Sequence, residues 1–416
     1  MVIDSLQFNG PCTCGRSHRM ETELCVVESG CLKKLNDYLD KYGLTGCTAA
    51  VYDENTYQAT ADRHPRVSYE IVLPSEGLHA DERSVALLQR QLPSQVQLII
   101  AVGAGSIHDI VRYCAYHAGV AFVSCPTAAS VDGFCASVAA MTWHGCKKTM
   151  TAAAPRIVIA DTDIIRRAPV YLAKSGFGDM VGKYVSLTEW KIGHLLTGEF
   201  YCRRIADMTR NATEAVVRSA QGILRGEEAA YENLMYGLLL SGLAMQMMGN
   251  SRPASGAEHH ISHMIEMEPA GLGIRSDALH GEKVGVGTLL AMEEYRRLAD
   301  LAEPVFRDYA PYTEAEIRAL FAHKTEELLL ENAKDAASGI TAQTLRANWE
   351  AICREIRSIP DVESLRQLYE TLGVKSRLPD IQVPEDAAAE LLRCSPMVRN
   401  RLTLMRLRKC LVQGEA

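Results

Sequence analysis

Hydrophobic residues in the first 168 positions occur in short runs that alternate with segments whose apolar residues recur every three or four positions. The short runs are rich in β-branched residues and are bounded by Gly, Pro or Asp, a pattern typical of strands. The intervening segments have the period of amphipathic helices. This alternation of strands and helices favours a parallel sheet covered by helices. The predicted strands are Thr48–Tyr52, Val67–Leu73, Leu98–Val102, Ala121–Cys125 and Ile157–Ala160, and the predicted helices include 81–91 and 106–118.

After residue 168 the pattern changes to one helical segment after another, with no convincing strand between them. We therefore expect an α/β domain with a Rossmann-like parallel sheet over residues 1–168 and an all-α domain over residues 169–416. The basic, amphipathic tail at 393–409 is expected to be a solvated terminal helix rather than a membrane or partner contact. The predicted helices are 178–196, 211–225, 227–248, 313–332, 341–357 and 384–397.

Composition narrows the class of protein. The chain has 416 residues and a formal net charge of -7, so it lacks the basic field of a nucleic-acid binder. Its thirteen cysteines are scattered in a chain too large to need disulfides, which favours reduced thiols and a cytoplasmic location. The N-terminus has no secretory pattern. The most apolar segment, Leu234–Met248, is too short and too interrupted to span a membrane.

A glycine-rich turn follows one of the predicted strands. Leu98–Val102 runs directly into Gly103-Ala-Gly-Ser-Ile-His-Asp109 and then into a predicted helix. Backbone N–H groups at such a helix start bind anions, including the pyrophosphate of a dinucleotide. Because the turn lacks the third glycine of the dinucleotide fingerprint, an ordinary tight turn is an equal alternative. Asp53 ends another predicted strand, where its carboxylate would either accept the hydroxyls of an adenosine ribose or form a turn.

Histidines cluster in the second half, where four of the twelve lie between positions 259 and 280. On a helix His259 and His263 share one face. Asp179, in Gly-Phe-Gly-Asp, is placed at an expected helix start. One carboxylate and two imidazoles suit zinc, nickel or iron. The alternative is that Asp179 caps a helix and the histidines lie on the surface.

A second group of metal-ligand residues lies near the N-terminus, in Cys12-Thr-Cys14-Gly-Arg-Ser-His18. Two thiols and an imidazole could form part of a zinc site. The Cys-x-Cys spacing is tighter than usual, and a fourth ligand is not evident, although Cys25 or Cys31 could serve. A structural or chemically inert role is therefore the favoured interpretation.

Four segments carry a resemblance to a known family. They are Gly103–Asp109, Pro126-Thr-Ala-Ala-Ser-Val-Asp-Gly133, Gly176–Lys183, and Arg252-Pro-Ala-Ser-Gly-Ala-Glu-His259 continuing to His263, with His280-Gly-Glu further on. In this order and spacing they resemble the bacterial branch of the sn-glycerol-1-phosphate dehydrogenase family. That family belongs to the dehydroquinate synthase-like, iron-alcohol dehydrogenase and glycerol dehydrogenase superfamily.

The resemblance implies a Rossmann-like domain followed by a helical domain, with the active site in the cleft between them. It implies that Asp179, His259 and His280 bind one divalent metal ion per chain, nickel or zinc, and that His263 faces the substrate. Asp132 would lie near the substrate and the nicotinamide. The family often has a cofactor-contacting serine where this chain has Ala136, so that contact is not carried over. The implied cofactor-binding residues are Gly103, Ala104, Gly105, Ser106, Ile107, Thr127 and Ser130.

The implied reaction is the reversible reduction of dihydroxyacetone phosphate to sn-glycerol 1-phosphate by NAD(P)H. Lys183 is a candidate partner of the substrate phosphate, with a solvated lysine as the equal alternative. Asp53 at a ribose would repel a 2′-phosphate, which favours NAD(H) over NADP(H). A homodimer is what the bacterial branch suggests. The alternatives are a glycerol or alcohol dehydrogenase, a dehydroquinate synthase-like lyase and an inactive binding module.

Overall fold

The computed structural model describes residues 1–144 and 146–412. This part of the chain divides into two compact units, and each unit combines two stretches of sequence. The first contains Met1–Met180 and Glu214–Asn250, and the second contains Val181–Thr213 and the chain from Ser251 onward. The domain boundary at residue 168 stays a prediction.

The first unit is built on a seven-stranded sheet in the order β1-β4-β11-β8-β7-β5-β6. Only the β1–β4 pairing is antiparallel, so the sheet is mostly parallel, as expected. All five predicted strands are present. The sheet strands are β1 (Val2–Asp4), β4 (Leu24–Glu28), β5 (Thr48–Asp53), β6 (Tyr69–Leu73), β7 (Leu98–Gly103), β8 (Ala121–Pro126) and β11 (Ile157–Asp161).

The central strands are apolar because both faces of the sheet are covered. Every residue of β5 and β7 is buried, and two hydrophobic clusters fill the opposite faces. Such strands read as continuous apolar runs rather than as an alternation. The covering and connecting helices are α1 (Leu35–Lys41), α2 (Glu54–Ala59), α3 (Glu82–Gln91), α4 (Gly105–Ala118), α5 (Thr162–Ile165), α6 (Val170–Val181), α9 (Gln221–Leu224) and α10 (Glu228–Met248).

Strand register places the functional candidates at one edge of the sheet. Gly103 at the end of β7 pairs with Pro126 at the end of β8. β5 is the other neighbour of β7 and ends at Asp53. The carboxyl ends of parallel strands are where ligands bind in open α/β sheets. Two hairpins lie outside the sheet, formed by β2 (Gly10–Pro11) with β3 (Ser17–His18) and by β9 (Val138–Trp143) with β10 (Cys146–Thr151).

The second unit is helical, as predicted, apart from one short antiparallel pair of strands, β12 (Val305–Phe306) and β13 (Leu411–Val412). The predicted helix 178–196 is two helices, since α6 ends at Val181 and α7 begins at Lys183. The helices of this region are α7 (Lys183–Thr197), α8 (Arg203–Ser219), α11 (Ala257–Glu266), α12 (His280–Ala299), α13 (Glu314–Phe321), α14 (Thr325–Glu331), α15 (Ala342–Arg357), α16 (Val362–Leu372), α17 (Ala388–Cys394) and α18 (Leu404–Leu407).

The C-terminal tail differs from its prediction as a solvated helix. It consists of short helical turns, and Leu404–Leu407 is buried, including the side chain of Arg406. Arg406 is paired with Asp335 at 2.7 Å, which is why a charge can be buried there. Across residues 1–144 and 146–412, no helix combines the length and the apolar character needed to cross a membrane.

Candidate active site

The turn between β7 and α4 joins a strand end directly to a helix start. A Cβ on Gly103 would lie 2.6 Å from the Cβ of Ile107, so only glycine lets the first turn of α4 fold this closely against the strand. Within the described part of the chain, no side chain caps α4. The N–H groups of its first turn, at Gly105 and Ser106, are therefore suited to an anionic group of a cofactor.

The loop after β8 lies beside this turn. The Thr127 N–H donates a hydrogen bond to the Gly103 carbonyl at 3.0 Å, and both Thr127 and Ser130 are buried. Two of the predicted cofactor-binding segments are thus held together by a backbone hydrogen bond. The contacts of Gly103, Thr127 and Ser130 with a cofactor stay predictions.

Asp53 has a structural role at the end of β5. Its Oδ1 accepts hydrogen bonds from the N–H groups of Asn55 at 2.9 Å and Thr56 at 3.0 Å, so Asp53 caps α2. Asp53 therefore forms the turn that was one of its two expected roles. A carboxylate has two oxygens, so capping through Oδ1 is compatible with a ribose at Oδ2.

Helix α6 packs tightly on the loop that follows β8. A Cβ on Gly176 would lie 2.1 Å from the carbonyl oxygen of Ala129, a distance that no real side chain tolerates. One residue earlier, the Ser175 hydroxyl donates to the Ser130 carbonyl at 3.2 Å. The first glycine of the Gly-Phe-Gly-Asp segment, Gly176, is therefore needed for the close approach of α6 to this loop.

The same packing joins two of the predicted catalytic residues. The Asp132 N–H donates to Oδ2 of Asp179 at 3.0 Å, and Asp132 Oδ2 accepts a hydrogen bond from the Ser241 hydroxyl at 2.8 Å. Asp179 is fully buried. The expectation that Asp179 stands at a helix start was wrong, because α6 begins at Val170 and Asp179 lies near its C-terminal end.

In the second unit, the Ser-Gly-Ala-Glu-His segment forms the start of α11. Oε1 of Glu258 accepts hydrogen bonds from the Gly256 N–H and from Nδ1 of His259, both at 2.7 Å. This pairing assigns the proton of the imidazole to Nδ1. His259 is then suited to bind a metal ion through Nε2, with its ring oriented by Glu258.

His280 is held in the same way by another carboxylate. It is the first residue of α12, and its Nδ1 lies 2.9 Å from Oε1 of Glu266 on α11. Lys283 Nζ lies 3.4 Å from the same oxygen. Although burial raises the pKa of Glu266, its interactions with His280, including the hydrogen bond to Nδ1, and the charge of Lys283 hold that pKa well below its usual range.

The three histidine rings form one group. The ring centroids of His259 and His280 are 5.4 Å apart, and His263 lies 6.0 Å from His259 and 5.7 Å from His280. Potential ligand atoms of His263, Glu266 and His280 lie within 4.8 Å of one another. The three histidines named by the resemblance are therefore neighbours, although sequence spacing alone joins only His259 and His263.

His263 differs from a histidine that titrates near neutrality. Desolvation lowers its pKa to about 3, against the opposing effect of Glu266 and with further lowering by the nearby histidines. His263 is therefore a neutral imidazole at pH 7. In that state it carries one N–H donor and one acceptor nitrogen.

The buried carboxylate of Glu189 accepts a hydrogen bond from the first residue of α11. Oε2 of Glu189 accepts the Ala257 N–H at 2.8 Å, and Oε1 accepts the Leu404 N–H at 3.1 Å and the Tyr295 hydroxyl. Burial, together with the nearby Glu258, raises the pKa of Glu189 to about 7. A Cβ on Gly256 would lie 2.5 Å from Glu189 Oε2 and 3.0 Å from Cα of Ser186, so a larger residue there would displace the Glu189 carboxylate.

Lys183 is fully buried at the first position of α7, where its Nζ donates to the Ala254 carbonyl at 3.1 Å. The alternative of a solvated lysine was therefore wrong. Because α6 ends at Val181, Lys183 is not one turn beyond Asp179 on the same helix. Its ammonium carries three donors, one of which the Ala254 carbonyl accepts.

The residues that orient the site were not among those predicted from the sequence. Glu258 and Glu266 fix the histidines, Ser241 holds Asp132, and Arg399 contributes positive charge at His263. Glu258 could have been found because it is adjacent to His259 in the sequence. Glu266 could have been found because it is three residues after His263, a spacing that places two side chains on one face of a helix. Ser241 and Arg399 are distant in sequence and gave no signal.

The side chains present fit a divalent metal ion with nitrogen and oxygen ligands. Two imidazoles each have Nδ1 engaged by a carboxylate, at His259 and His280, which is the usual outer-shell arrangement of metal-binding histidines. The buried carboxylate of Asp179 belongs to the first unit and the histidines belong to the second. A ligand set of oxygen and nitrogen donors suits zinc, nickel and iron.

The first unit is thus a mostly parallel α/β sheet, and the second is a helical region whose histidines are oriented by carboxylates. Residues 26–169 match the iron-containing alcohol dehydrogenase family. The fold is also that of glycerol dehydrogenase from Schizosaccharomyces pombe, with a TM-score of 0.55 at 22% identity, covering 87% of this chain and 95% of that one.

Curated relatives narrow the class further. The chain is 33% identical over 406 residues to glycerol-1-phosphate dehydrogenase [NAD(P)+] of Geobacillus stearothermophilus, covering 95% of this chain and 94% of the relative. It is 31% identical over 406 residues to the enzyme of that name from Halalkalibacterium halodurans, with the same two coverages. The chain belongs to the glycerol-1-phosphate dehydrogenase [NAD(P)+] family.

Proposed function

We propose that this protein is a metal-dependent oxidoreductase that interconverts dihydroxyacetone phosphate and sn-glycerol 1-phosphate with NAD(P)H. The main support is structural: two imidazoles are paired with carboxylates, His259 with Glu258 and His280 with Glu266. In addition, the curated relatives are named glycerol-1-phosphate dehydrogenase [NAD(P)+]. Dehydrogenase activity requires a hydride carrier and a group that stabilises the negative charge that develops on the substrate oxygen.

Asp179, His259 and His280 are the proposed ligands of one divalent ion per chain, nickel or zinc. When bound, such an ion acts as a Lewis acid toward the substrate carbonyl. The chain's own contribution is orientation. Glu258 and Glu266 hold the two imidazole rings with Nδ1 protonated, and the Asp132 N–H fixes one oxygen of Asp179.

The proposed cofactor site is the edge of the sheet at β7 and α4. NAD(P)H, when bound, supplies the hydride. The amides of the glycine turn at residues 103–107 would hold the pyrophosphate, with Thr127 and Ser130 beside them. Asp132, held by Ser241, would contact the nicotinamide or the substrate.

His263 is the proposed proton-transfer residue. As a neutral imidazole it can accept a proton from the hydroxyl of glycerol 1-phosphate when the alcohol is oxidised. In the direction of reduction the same ring would pass to the substrate oxygen a proton that it takes from solvent. His263 lies 6.0 Å from His259 and 5.7 Å from His280 between ring centroids, so it is close to two of the proposed metal ligands.

The finer features of the proposal concern cofactor choice, substrate and setting. We propose a preference for NAD(H) because Asp53 ends the strand next to β7, where its charge would repel a 2′-phosphate. Lys183 is the proposed partner of the substrate phosphate. A homodimer is proposed from the bacterial branch of the family. A cytoplasmic location is proposed because the cysteines are scattered along a chain too large to need disulfides.

Two single substitutions test the proposed metal site. The His259→Ala and Asp179→Asn variants should lose bound metal and turnover while keeping the circular dichroism spectrum of the parent. The His117→Ala variant, which changes an exposed histidine on α4, is the matched control. Full activity in either site variant would exclude the metal mechanism.

A further inference from the structure

We propose a second metal site at the N-terminus, in which Cys12, Cys14 and His18 bind a zinc ion separate from the catalytic ion. These residues lie in the first unit, on and beside the hairpin of β2 and β3. From the sequence alone a structural or inert role is favoured, because the Cys-x-Cys spacing is tight and a fourth ligand is not evident. The structure reverses that preference on three independent observations.

The first observation is that the ligand atoms converge. The thiol sulfurs of Cys12 and Cys14 and a ring nitrogen of His18 all lie within 4.8 Å of one another. Sγ of Cys14 and Nε2 of His18 are 3.4 Å apart. For zinc–sulfur and zinc–nitrogen bonds at a tetrahedral angle, the expected separation of two such atoms is about 3.5 Å.

The second observation is the orientation of His18. Its Nδ1 lies 2.8 Å from the carbonyl oxygen of Met247, and the ring is buried. A carbonyl partner requires a proton on Nδ1, so Nε2 is the nitrogen that faces the thiol of Cys14. Metal-binding histidines have this arrangement, with one ring nitrogen donating to a carbonyl and the other on the ion.

The third observation is the backbone around the cysteines. The Cys12 N–H donates to the Arg16 carbonyl at 2.9 Å, and the Gly15 N–H donates to the Cys12 carbonyl at 3.0 Å. Gly15 has a φ of 86°, a conformation that glycine adopts readily. This tight turn brings two thiols two residues apart to one side, so the short Cys-x-Cys spacing is compatible with chelation.

The chemistry of the donors selects the ion. Two thiolates and an imidazole form a soft set that suits zinc, whereas the proposed catalytic ligands offer only oxygen and nitrogen. Cys25 and Cys31, considered from the sequence as further ligands, are fully buried in the sheet and its covering layer. The site would stabilise the N-terminal hairpin, whose two-residue strands are too short to be stable alone.

Cobalt substitution of the intact protein tests the proposal. The cobalt form should show a thiolate-to-cobalt charge-transfer band, which the proposed catalytic ligands cannot produce, and the zinc form should contain two ions per chain. The Cys12→Ser/Cys14→Ser variant should lose the band and one ion, and the Cys47→Ser variant, which changes a half-buried cysteine elsewhere in this unit, should keep both.

Absence of the band from the wild-type protein, or one ion per chain with both thiols reactive toward a thiol reagent, would overturn the proposal. If the double variant does not fold, a mercurial reagent added to the wild-type protein provides the second readout. It should release one zinc ion per chain, and release of none would also overturn the proposal. Neither result depends on whether the protein reduces dihydroxyacetone phosphate, so failure of this site and failure of the proposed function are distinguishable.

Discussion

The backbone N–H of Asp132 donates a hydrogen bond to Oδ2 of Asp179 across 3.0 Å. The two residues are 47 positions apart, on the loop after β8 and on α6. This bond connects the residue proposed to face the nicotinamide with a proposed metal ligand. The position of one therefore depends on the packing that holds the other.

Gly176→Ala should disturb this connection. Its new Cβ would meet the Ala129 carbonyl at 2.1 Å, so α6 or the loop must move, at a cost of roughly 1–3 kcal/mol in the free energy of unfolding. Urea denaturation measures this cost, and turnover should fall with it. The control is Gly133→Ala, where a Cβ meets nothing within 4 Å. Equal stability of the two variants would show that α6 does not need this close approach.

Glu258→Ala should weaken metal binding without touching a proposed ligand. His259 loses the partner that orients its ring, and outer-shell changes of this kind typically cost about 10–100-fold in metal affinity. Competition with a chelator gives the affinity, and Glu258→Gln, which keeps an acceptor oxygen, should restore much of it. Glu303→Ala, at an exposed position after α12, is the control. Unchanged metal affinity in Glu258→Ala would show that Glu258 does not orient His259 for metal binding.

His108→Asn should make the protein less sensitive to acid. Burial, helped by Arg112, lowers the pKa of His108 to about 3 in the folded state, while the unfolded chain has an ordinary pKa near 6.5. The unfolded state thus binds the proton first, and stability is lost as pH falls from about 6.5 towards 3, by up to about 1.4 kcal/mol per pH unit.

An asparagine amide in place of His108 keeps a donor for the Ala104 carbonyl but does not titrate. The urea midpoint of this variant, relative to the parent, should therefore rise steadily as the pH is lowered from 7 to 4.5 in metal-free protein. The His117→Asn variant changes an exposed histidine on the same helix and should show no such trend. A pH-independent difference for His108→Asn would contradict the burial argument.

Asp53→Ser should increase the use of NADPH. Serine is also a good helix N-cap, so α2 keeps its cap while the charge is removed. Repulsion between single charges at 4 Å is about 1 kcal/mol even in water, so catalytic efficiency with NADPH should rise roughly fivefold or more relative to NADH. The control is Asp81→Ser, which changes the cap of α3. Equal efficiency of the parent with both cofactors would contradict the proposed preference.

Lys183→Met should distinguish phosphate binding from a purely structural role. A charge-assisted contact contributes about 1.5–3 kcal/mol, so KM for dihydroxyacetone phosphate should rise about tenfold or more, while KM for unphosphorylated dihydroxyacetone stays the same. A structural role at the Ala254 carbonyl would change both substrates alike. If Arg399→Gln, and not Lys183→Met, raises KM for dihydroxyacetone phosphate alone, the substrate phosphate is bound by Arg399 and not by Lys183.

Strand and helix patterns in the sequence predicted the fold class, because buried parallel strands are continuous apolar runs with clear Gly and Asp boundaries. They missed β4, a five-residue strand at Leu24–Glu28, and the β9–β10 hairpin, where polar residues such as Thr142 interrupt the pattern. Helix ends were less predictable. The sequence from α6 to α7 has helical periodicity throughout, and the break at Gly182 has no strong signal.

The site was predicted through resemblance more than through spacing. Periodicity joins His259 and His263, but only the fold brings His280 beside them. The hydrogen bonds that orient these rings depend on tertiary packing, as does the burial that gives Lys183 a carbonyl partner. Contacts between residues far apart in sequence leave no local pattern to read.

The most direct test of the account is reduction of dihydroxyacetone phosphate by NADH, measured on metal-stripped protein before and after adding back nickel, zinc or iron. The proposed function predicts no turnover in the stripped protein, recovery with nickel or zinc, and sn-glycerol 1-phosphate as the product. Full turnover without metal, or equal turnover of unphosphorylated dihydroxyacetone, would contradict it.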